Sequence, residues 1–413
     1  MCSTLRQTRH GACLVALLLT GAIPSVASAA WDNVPEVNLS ASTSDNVLRT
    51  QQGEQSGSWT VLDARLTTTY FDERANLYIA PRVVVDAYAD SQFEPLETED
   101  YFLRAGGQYR WQTVTGGFRI DYSDRNVLRA EFEDAVPGDP DIDDPALGDT
   151  GRVGFAEQKR EYYFIGGNLD FNLSERDVLR VDLTGSEAAY SVSSSPNRTG
   201  YDYNEAALEY ARQVNDRSGF FVGASVGDYT AASNDNNTDT VGVYAGFARD
   251  LSQAWRLNLS AGANTLDYDF IAGTTRIADS ATAPAFGIGL RKRNERSVWN
   301  FDLEYMLNPS SSGYLTENAR ARVFLRQQFS PRFAGRFGVL LTSSTPSDDL
   351  DAQNERDYAR LQVSFEWAMS RTMLLTFGFD SLRQEFPNEN SGATNSTNAF
   401  VGVTYRGLSR QNQ

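Results

Sequence analysis

The stretch Ala359-Arg-Leu-Gln-Val-Ser-Phe-Glu-Trp367 alternates between apolar and polar side chains at every step. Successive side chains of a β-strand point to opposite faces of the sheet, so this period of two predicts a strand with one apolar and one polar face. The same period occurs in Leu77 to Tyr88, Trp255 to Asn264 and Phe333 to Thr342. The 3.6-residue period of a helix is nowhere sustained, and the chain is predicted to be all-β.

Short polar turns alternate along the chain with longer loops rich in Asp, Asn, Ser, Gly and Pro. Short turns on one side and long loops on the other are typical of outer-membrane barrels. Eight turns give sixteen strands, and flanking strands over Val37 to Asn46 and Ala399 to Arg406 raise the count to 18. We therefore predict a transmembrane antiparallel up-and-down β-barrel of about 18 strands, with 16 as the alternative. The turns lie near Asp72 to Arg74, Thr113 to Thr115, Asn172 to Arg176, Asn215 to Arg217, Leu251 to Gln253, Lys292 to Glu295, Ser330 to Arg332 and Met369 to Arg371.

A soluble β-sandwich would alternate in the same way, and strand length separates the two folds. Strands of about 10 residues fit a tilted membrane crossing, whereas soluble strands are usually about 5 to 6 residues long. Aromatic residues also cluster near the predicted strand ends, as in the interfacial girdles of membrane barrels. They include Tyr70, Phe71, Tyr109, Trp111, Tyr162, Tyr163, Trp299 and Trp367.

Residues 1 to 30 have the composition of a secretory signal peptide. Arg6 and Arg9 form a basic start, the apolar run Cys13 to Leu19 follows, and small residues from Ala27 to Ala30 offer a cleavage site. The apolar run is far shorter than the roughly 20 residues of a membrane-spanning helix. We predict a signal peptide over residues 1–30 and an outer-membrane barrel over residues 31–413.

Cleavage of this segment would remove Cys2, Cys13 and His10, which are the only cysteines and the only histidine of the chain. A chain without thiol or imidazole cannot use Ser-His-Asp or Cys-His catalysis, zinc sites built from His or Cys, or disulfides. We therefore predict no cofactor, no metal site and no enzymatic activity.

The chain is strongly acidic, and its cations are almost all arginine. Its formal net charge is -17 at pH 7. That value becomes about -19 once the two arginines of the signal segment leave, which disfavours binding to the phosphates of nucleic acid. Lys159 and Lys292 are the only lysines. Arginine keeps its charge and presents a planar fork that suits carboxylates and phosphates.

If the apolar face of the barrel meets lipid, the polar face lines the lumen. Carboxylates are interleaved with arginines on that face, so pairing across the wall is the alternative to a path for solutes. Because Arg320, Arg322 and Arg326 share one strand face with Phe324, we expect this ladder to escape pairing and to attract anions. The candidate substrate-binding residues of the lumen are Arg82, Arg104, Arg110, Arg256, Arg320, Arg322, Arg326, Arg336 and Arg360.

Two acidic features offer other chemistry. Asp302 and Glu304 share a face at about 6.5 Å by strand rise, a separation that does not forbid carboxylate-based glycoside cleavage. Such pairs recur along the polar face without a further catalytic cue. The stretch Glu131 to Asp149 lacks the D-x-D-x-D-G order of a calcium loop, and we predict a solvated surface loop.

The stretch Ala41-Ser-Thr-Ser-Asp-Asn-Val-Leu-Arg49 resembles the first strand of the β-barrel porin 2 family. Leu77-Tyr-Ile-Ala-Pro-Arg82 and Tyr101-Phe-Leu-Arg-Ala-Gly-Gly-Gln-Tyr-Arg-Trp111 are similar to later parts of that family. The family includes barrels encoded with exopolysaccharide systems, so the resemblance implies an outer-membrane location and a part in polysaccharide export or surface assembly. It implies no catalytic residues.

These features predict an outer-membrane channel that passes exopolysaccharide or other anionic solutes. The expected partners are outer-membrane lipid, the barrel insertion machinery and an anionic polysaccharide, with no nucleic acid. One alternative is a structural or partner-binding barrel with a closed lumen. The other is a barrel-embedded hydrolase that depends on carboxylates.

Overall fold

The computed structural model describes residues 31–49, 54–127, 159–191, 198–232, 236–272, 275–311, 313–346, 355–387 and 392–408. The predicted signal segment and the acidic stretch Glu131 to Asp149 lie outside these ranges, so both interpretations remain predictions.

Eighteen strands and one short 3₁₀ helix, Ser91–Leu96, account for the regular structure of the described residues. The strands are 12 to 19 residues long, which is enough for a tilted crossing of about 10 residues with length to spare. In chain order they are β1 (Trp31–Ser44), β2 (Gly57–Phe71), β3 (Ala75–Tyr88), β4 (Glu99–Arg110), β5 (Val114–Asn126), β6 (Lys159–Asn172), β7 (Asp177–Tyr190), β8 (Tyr201–Asn215), β9 (Ser218–Ala231), β10 (Asn236–Asp250), β11 (Trp255–Ala272), β12 (Thr275–Arg293), β13 (Ser297–Pro309), β14 (Leu315–Ser330), β15 (Phe333–Pro346), β16 (Arg356–Ala368), β17 (Met373–Glu385) and β18 (Thr394–Arg406).

The sheet closes on itself. Each strand pairs antiparallel with its neighbours in sequence, and β1 also pairs with β18 from Glu36↔Arg406 to Ser44↔Asn398. Closure leaves no sheet edge with unpaired backbone groups. The predicted count of 18 strands is confirmed, and the flanking strands β1 and β18 begin six and five residues before the predicted starts.

One end of the barrel carries eight short turns and both ends of the described chain. The turns are closed by side chains that satisfy backbone N–H groups, as expected for Ser and Asn in tight turns. Ser174 Oγ accepts hydrogen bonds from the N–H groups of Arg176 and Asp177, at 3.1 Å each. Ser252, Asn294 and Ser370 make the same contacts in three other turns.

The two faces of the barrel differ in polarity as the alternation predicts. The outer face exposes apolar side chains such as Leu183, Ile165 and Val243. The inner face carries the arginines, carboxylates, amides and hydroxyls. No helix among the described residues is long and apolar enough to span a membrane.

Large aromatic side chains lie on the outer face close to the turn end. Trp31 and Tyr70 have ring centroids 5.1 Å apart, and those of Tyr109 and Trp111 are 4.7 Å apart. Trp299, Trp367 and Tyr405 are exposed at the same level of the wall. Tyr162 is an exception to the predicted girdle, because the register with β5 and β7 turns it into the lumen, where it is buried.

Candidate functional site

All nine predicted arginines lie at inward positions of the wall. The register links them across strands: Arg82 faces Arg65, Arg322 faces Asp302, and Arg326 faces Arg336. The sequence therefore assigned the correct face to each of them. The arginines of β14 to β16 form one contiguous patch, here called the arginine strip, which consists of Arg320, Arg322, Arg326, Arg336 and Arg360.

The strip is paired with carboxylates. Arg322 Nη2 lies 2.8 Å from Glu304 Oε1. Glu366 pairs with two arginines: its Oε1 lies 2.7 Å from Arg336 Nη2, and its Oε2 lies 3.6 Å from Arg326 Nη2. The expectation that the ladder escapes pairing is wrong for Arg322 and Arg326, because β13 and β16 place carboxylates within reach. The Arg326 side chain is nevertheless 46% exposed, so part of it faces the lumen.

Arg360 and Arg82 form the most closely held pairs. The Arg360 guanidinium donates to both oxygens of Asp380, and the Arg360 side chain is only 5% exposed. Arg82 donates from Nε and Nη2 to the two oxygens of Asp63, at 3.0 and 3.1 Å. Two-pronged pairs of this kind are geometrically specific, so they fix neighbouring strands as well as charges.

Arg104 belongs to a second group on β4 and β5. Its Nε donates to Asp121 at 2.7 Å, and Asp121 also accepts a hydrogen bond from Arg119. Arg110 and Arg256 stand apart from both groups. Arg110 is the last residue of β4 and Arg256 the second of β11, so both are exposed at the turn end.

Arg125 and Arg356 are inward arginines that the sequence analysis missed. Both are buried at the loop end of the lumen, Arg125 over the ring of Phe102 at 5.9 Å and Arg356 over that of Tyr358 at 5.2 Å. Both keep the period of two of their strands, Arg125 with Ser123 and Arg356 with Tyr358. The sequence predicts loops over Asn126 to Gln158 and Thr345 to Glu355, and both arginines lie directly beside these loops, so carrying the alternation to the ends of the strands would have found them.

The connection between β13 and β14 folds into the lumen. Tyr229 Oη donates to the carbonyl of Ser310 at 2.8 Å, and the N–H of Thr199 donates to the carbonyl of Ser311 at 2.8 Å. Asn236 Nδ2 donates to the carbonyl of Gly313 at 2.6 Å. The segment thus spans from β13 to the region of β8 to β10 and narrows the lumen at the loop end. The described residues from Ser310 to Leu315 that carry these contacts are here called the inward segment.

A cavity of about 600 Å³ lies along the inner wall from β8 to β14. Glu205, Tyr244 and Asn264 line it from β8, β10 and β11, and Asp302 and Glu304 line it from β13. Among the described residues that line it, none is Arg or Lys. The arginines therefore lie beside this cavity and not around it.

Asp302 and Glu304 were considered as a catalytic pair, and both face the lumen. Glu304 is held in an ion pair with Arg322. Arg322 therefore occupies part of the acceptor capacity of the Glu304 carboxylate. Both carboxylates thus face the lumen as the alternation predicts, and the absence of enzymatic activity stays a prediction.

No family model matches the sequence, and no curated protein matches it. Similar solved structures include Pseudomonas aeruginosa OpdL, at 11% identity over 93% of this chain and 100% of that chain, with a TM-score of 0.44. Acinetobacter baumannii OccAB4 has 9% identity over 93% and 99%, with a TM-score of 0.45. The outer membrane protein OpdK of Pseudomonas aeruginosa has 11% identity over 92% and 99%, with a TM-score of 0.43. The resemblance to the β-barrel porin 2 family stays a prediction.

Proposed function

We propose that this chain is an outer-membrane channel that passes hydrated anionic solutes through an arginine-bearing lumen. The observation that carries the proposal is the closed 18-stranded barrel with an apolar exterior and a charged interior. In lipid every backbone polar group must be paired, and a closed barrel meets that condition.

The exterior supports the location in a membrane. Apolar side chains cover the outer wall, and Trp31, Trp111, Trp299 and Trp367 are exposed near the turn end. Aromatic side chains prefer the interface between lipid and water. Soluble monomeric proteins rarely expose so large an apolar surface.

The arginine strip supports the preference for anions. A guanidinium has five N–H donors, so one carboxylate partner leaves donors for a passing anion. Arg326 keeps almost half of its side chain exposed to the lumen. The inward segment narrows the lumen, which favours small carboxylates or phosphates over a polymer. Exopolysaccharide is a larger anionic candidate that would have to pass the same narrowing.

A barrel with a closed lumen is the second candidate. Three hydrogen bonds tie the inward segment to Thr199, Tyr229 and Asn236, and Leu315 packs in a buried cluster with Tyr201, Tyr229 and Leu266. A permanent closure of this kind would suit a scaffold whose loops bind a partner. A hydrolase that uses Asp302 and Glu304 ranks below both.

The double variant Arg322→Gln with Arg326→Gln tests the proposal. Residues 31–413 are refolded into planar bilayers, and the chloride-to-potassium permeability ratio is read from the reversal potential. We expect the ratio to fall, because two cations leave the lumen. Arg383→Gln is the matched control, since Arg383 lies on the outer face and pairs with Glu385. An unchanged ratio in the double variant would rule out the arginine path.

A further inference from the structure

The inner wall carries a groove between β11 and β13. The register places Asn258, Gly289 and Asp302 side by side, and it places Ser260, Gly287 and Glu304 side by side one step along. The two glycines of β12 therefore form a floor without side chains. The walls are Asn258 and Ser260 on one side and Asp302 and Glu304 on the other.

Because the floor has no side chains, polar side chains of the walls lie over it. Ser260 Oγ lies 2.7 Å from the position that a Cβ on residue 287 would occupy, and Asp302 Oδ1 lies 3.3 Å from that of residue 289. The polar tips thus lie over the glycines. Two strand spacings, about 9.6 Å, separate the backbones of β11 and β13, and a sugar-sized ring would lie on the polar tips above the glycines.

The groove opens into the 600 Å³ cavity, a volume within the range of about 300–1,000 Å³ that small-molecule sites occupy. Ser225, Thr240 and Asn264 extend its neutral polar surface. Glu205 adds a carboxylate at the far end, where its Oε2 accepts from Tyr203 at 3.1 Å. The lining thus offers hydroxyl and amide groups together with carboxylates.

Two arginines of the neighbouring β14 affect the charge of the groove. Arg322 holds Glu304 at 2.8 Å, and Arg320 faces Glu304 in the register. Arg322 reaches Glu304 from the side of β14, whereas the groove lies on the side of β12. A carboxylate has about four acceptor sites on its two oxygens, so pairing with arginine leaves capacity for a ligand.

We propose that this groove binds a small hydroxylated amine about the size of a hexose. The ammonium group faces Asp302 and Glu304, and the hydroxyl groups face Asn258 and Ser260. An anion of the same size is disfavoured because Asp302 and Glu304 line the groove, whereas the neighbouring cations already have partners: Arg322 pairs with Glu304 and Arg291 donates to Asn300. The site rests on the proposed channel function, but it lies beside the arginine strip and handles the opposite charge.

Three compounds of one size and different charge test the site: glucosamine, glucose and sodium gluconate. Each is added to wild-type channels in a planar bilayer at about pH 6, where the amine is protonated. We expect glucosamine to block the current at a concentration about ten-fold below that of glucose, since one charge-assisted hydrogen bond is worth about that factor. Any block by gluconate should be weaker than that by glucosamine and unaffected by Asp302→Asn, because the arginine strip and not the groove attracts this anion. Equal block by all three compounds would overturn the proposal.

Variants locate the site within the lumen. Asp302→Asn should remove the advantage of glucosamine over glucose, and Gly289→Val should abolish block by both because it fills the floor. Asp170→Asn is the control, since Asp170 is a lumen carboxylate on β6 that pairs with Arg180 outside the groove. Block that is unchanged in Asp302→Asn would contradict the assignment.

A second measurement separates this proposal from the channel function. Saturation-transfer NMR of glucosamine with the refolded protein in detergent detects binding without conduction. A silent bilayer together with binding that Asp302→Asn removes would reject the channel and keep the site. Conduction without any such binding would reject the site and keep the channel.

Discussion

Glu366 on β16 is the carboxylate that neutralises two arginines of the strip, and its replacement by glutamine should raise anion selectivity. Glu366 is 8% exposed and contacts Arg336 at 2.7 Å and Arg326 at 3.6 Å. Glutamine keeps the shape and removes the charge, so the lumen gains one net positive charge beside two guanidinium groups. Both arginines are partly exposed and can turn toward water, so we expect the barrel to stay folded.

The size of the effect follows from Coulomb's law. An anion 6 Å from the uncompensated charge gains about 0.7 kcal/mol in water. A Debye length of about 8 Å at physiological ionic strength roughly halves that energy. Potassium loses the same amount that chloride gains, so the difference of about 0.7 kcal/mol corresponds to a chloride-to-potassium permeability ratio about three-fold higher, because 1.4 kcal/mol is a factor of ten.

Reversal potentials in a potassium chloride gradient measure this ratio. Asp357→Asn is the control, because Asp357 lies on the same strand but is exposed on the outer face. Correct folding of each variant is checked by the shift in electrophoretic mobility on heating. A ratio that stays unchanged, or that moves toward cations, in a folded Glu366→Gln protein would refute the reasoning.

Three further predictions concern stability, the inward segment and insertion. Arg360→Gln should lower the free energy of unfolding by about 3 kcal/mol in urea titrations, because it leaves the mostly buried Asp380, 17% exposed, without its partner. Arg383→Gln should cause no measurable loss, because the Arg383 side chain is 62% exposed on the outer face. Tyr229→Phe combined with Asn236→Ala should raise single-channel conductance by releasing the inward segment, whereas the control Tyr70→Phe should leave it unchanged. Equal conductance in the wild type, the double variant and the control would show that other residues narrow the lumen. Trp299→Gln combined with Trp367→Gln should reduce the yield of folding into lipid vesicles, because both side chains lose their place at the interface.

The fold was predictable because each strand alternates between apolar and polar residues and short turns separate the strands at one end. The stretch from Ala359 to Trp367 shows the period of two without interruption, and the eight short turns count the strands. Inward and outward faces then follow from the alternation, which is why the nine arginines were placed on the correct side. Tyr162 was misplaced because it lies beside Tyr163, and only the register decides which of two adjacent aromatics faces lipid.

The pairing of the arginines was only partly predictable. Arg322 and Glu304 lie on neighbouring strands, but their contact depends on the register between β13 and β14, which the alternation within each strand does not determine. The sequence did not predict that the inward segment folds into the lumen. It is held largely by the backbone carbonyls of Ser310, Ser311 and Gly313, which every residue type possesses.

The groove of β11 to β13 was missed for a different reason. Gly287 and Gly289 look like ordinary small residues of a strand, and their meaning depends on the side chains that the register places beside them. Asp302 and Glu304 were singled out as a carboxylate pair, but the glycine floor that opens a binding groove next to them emerges only from three strands together.

The most direct test of the channel is the single-channel conductance of residues 31–413 refolded into a planar bilayer, with the reversal potential recorded in a salt gradient. The proposed function predicts stable conductance that prefers anions. A silent bilayer, despite confirmed insertion of the protein, would contradict it and favour a barrel closed by its inward segment.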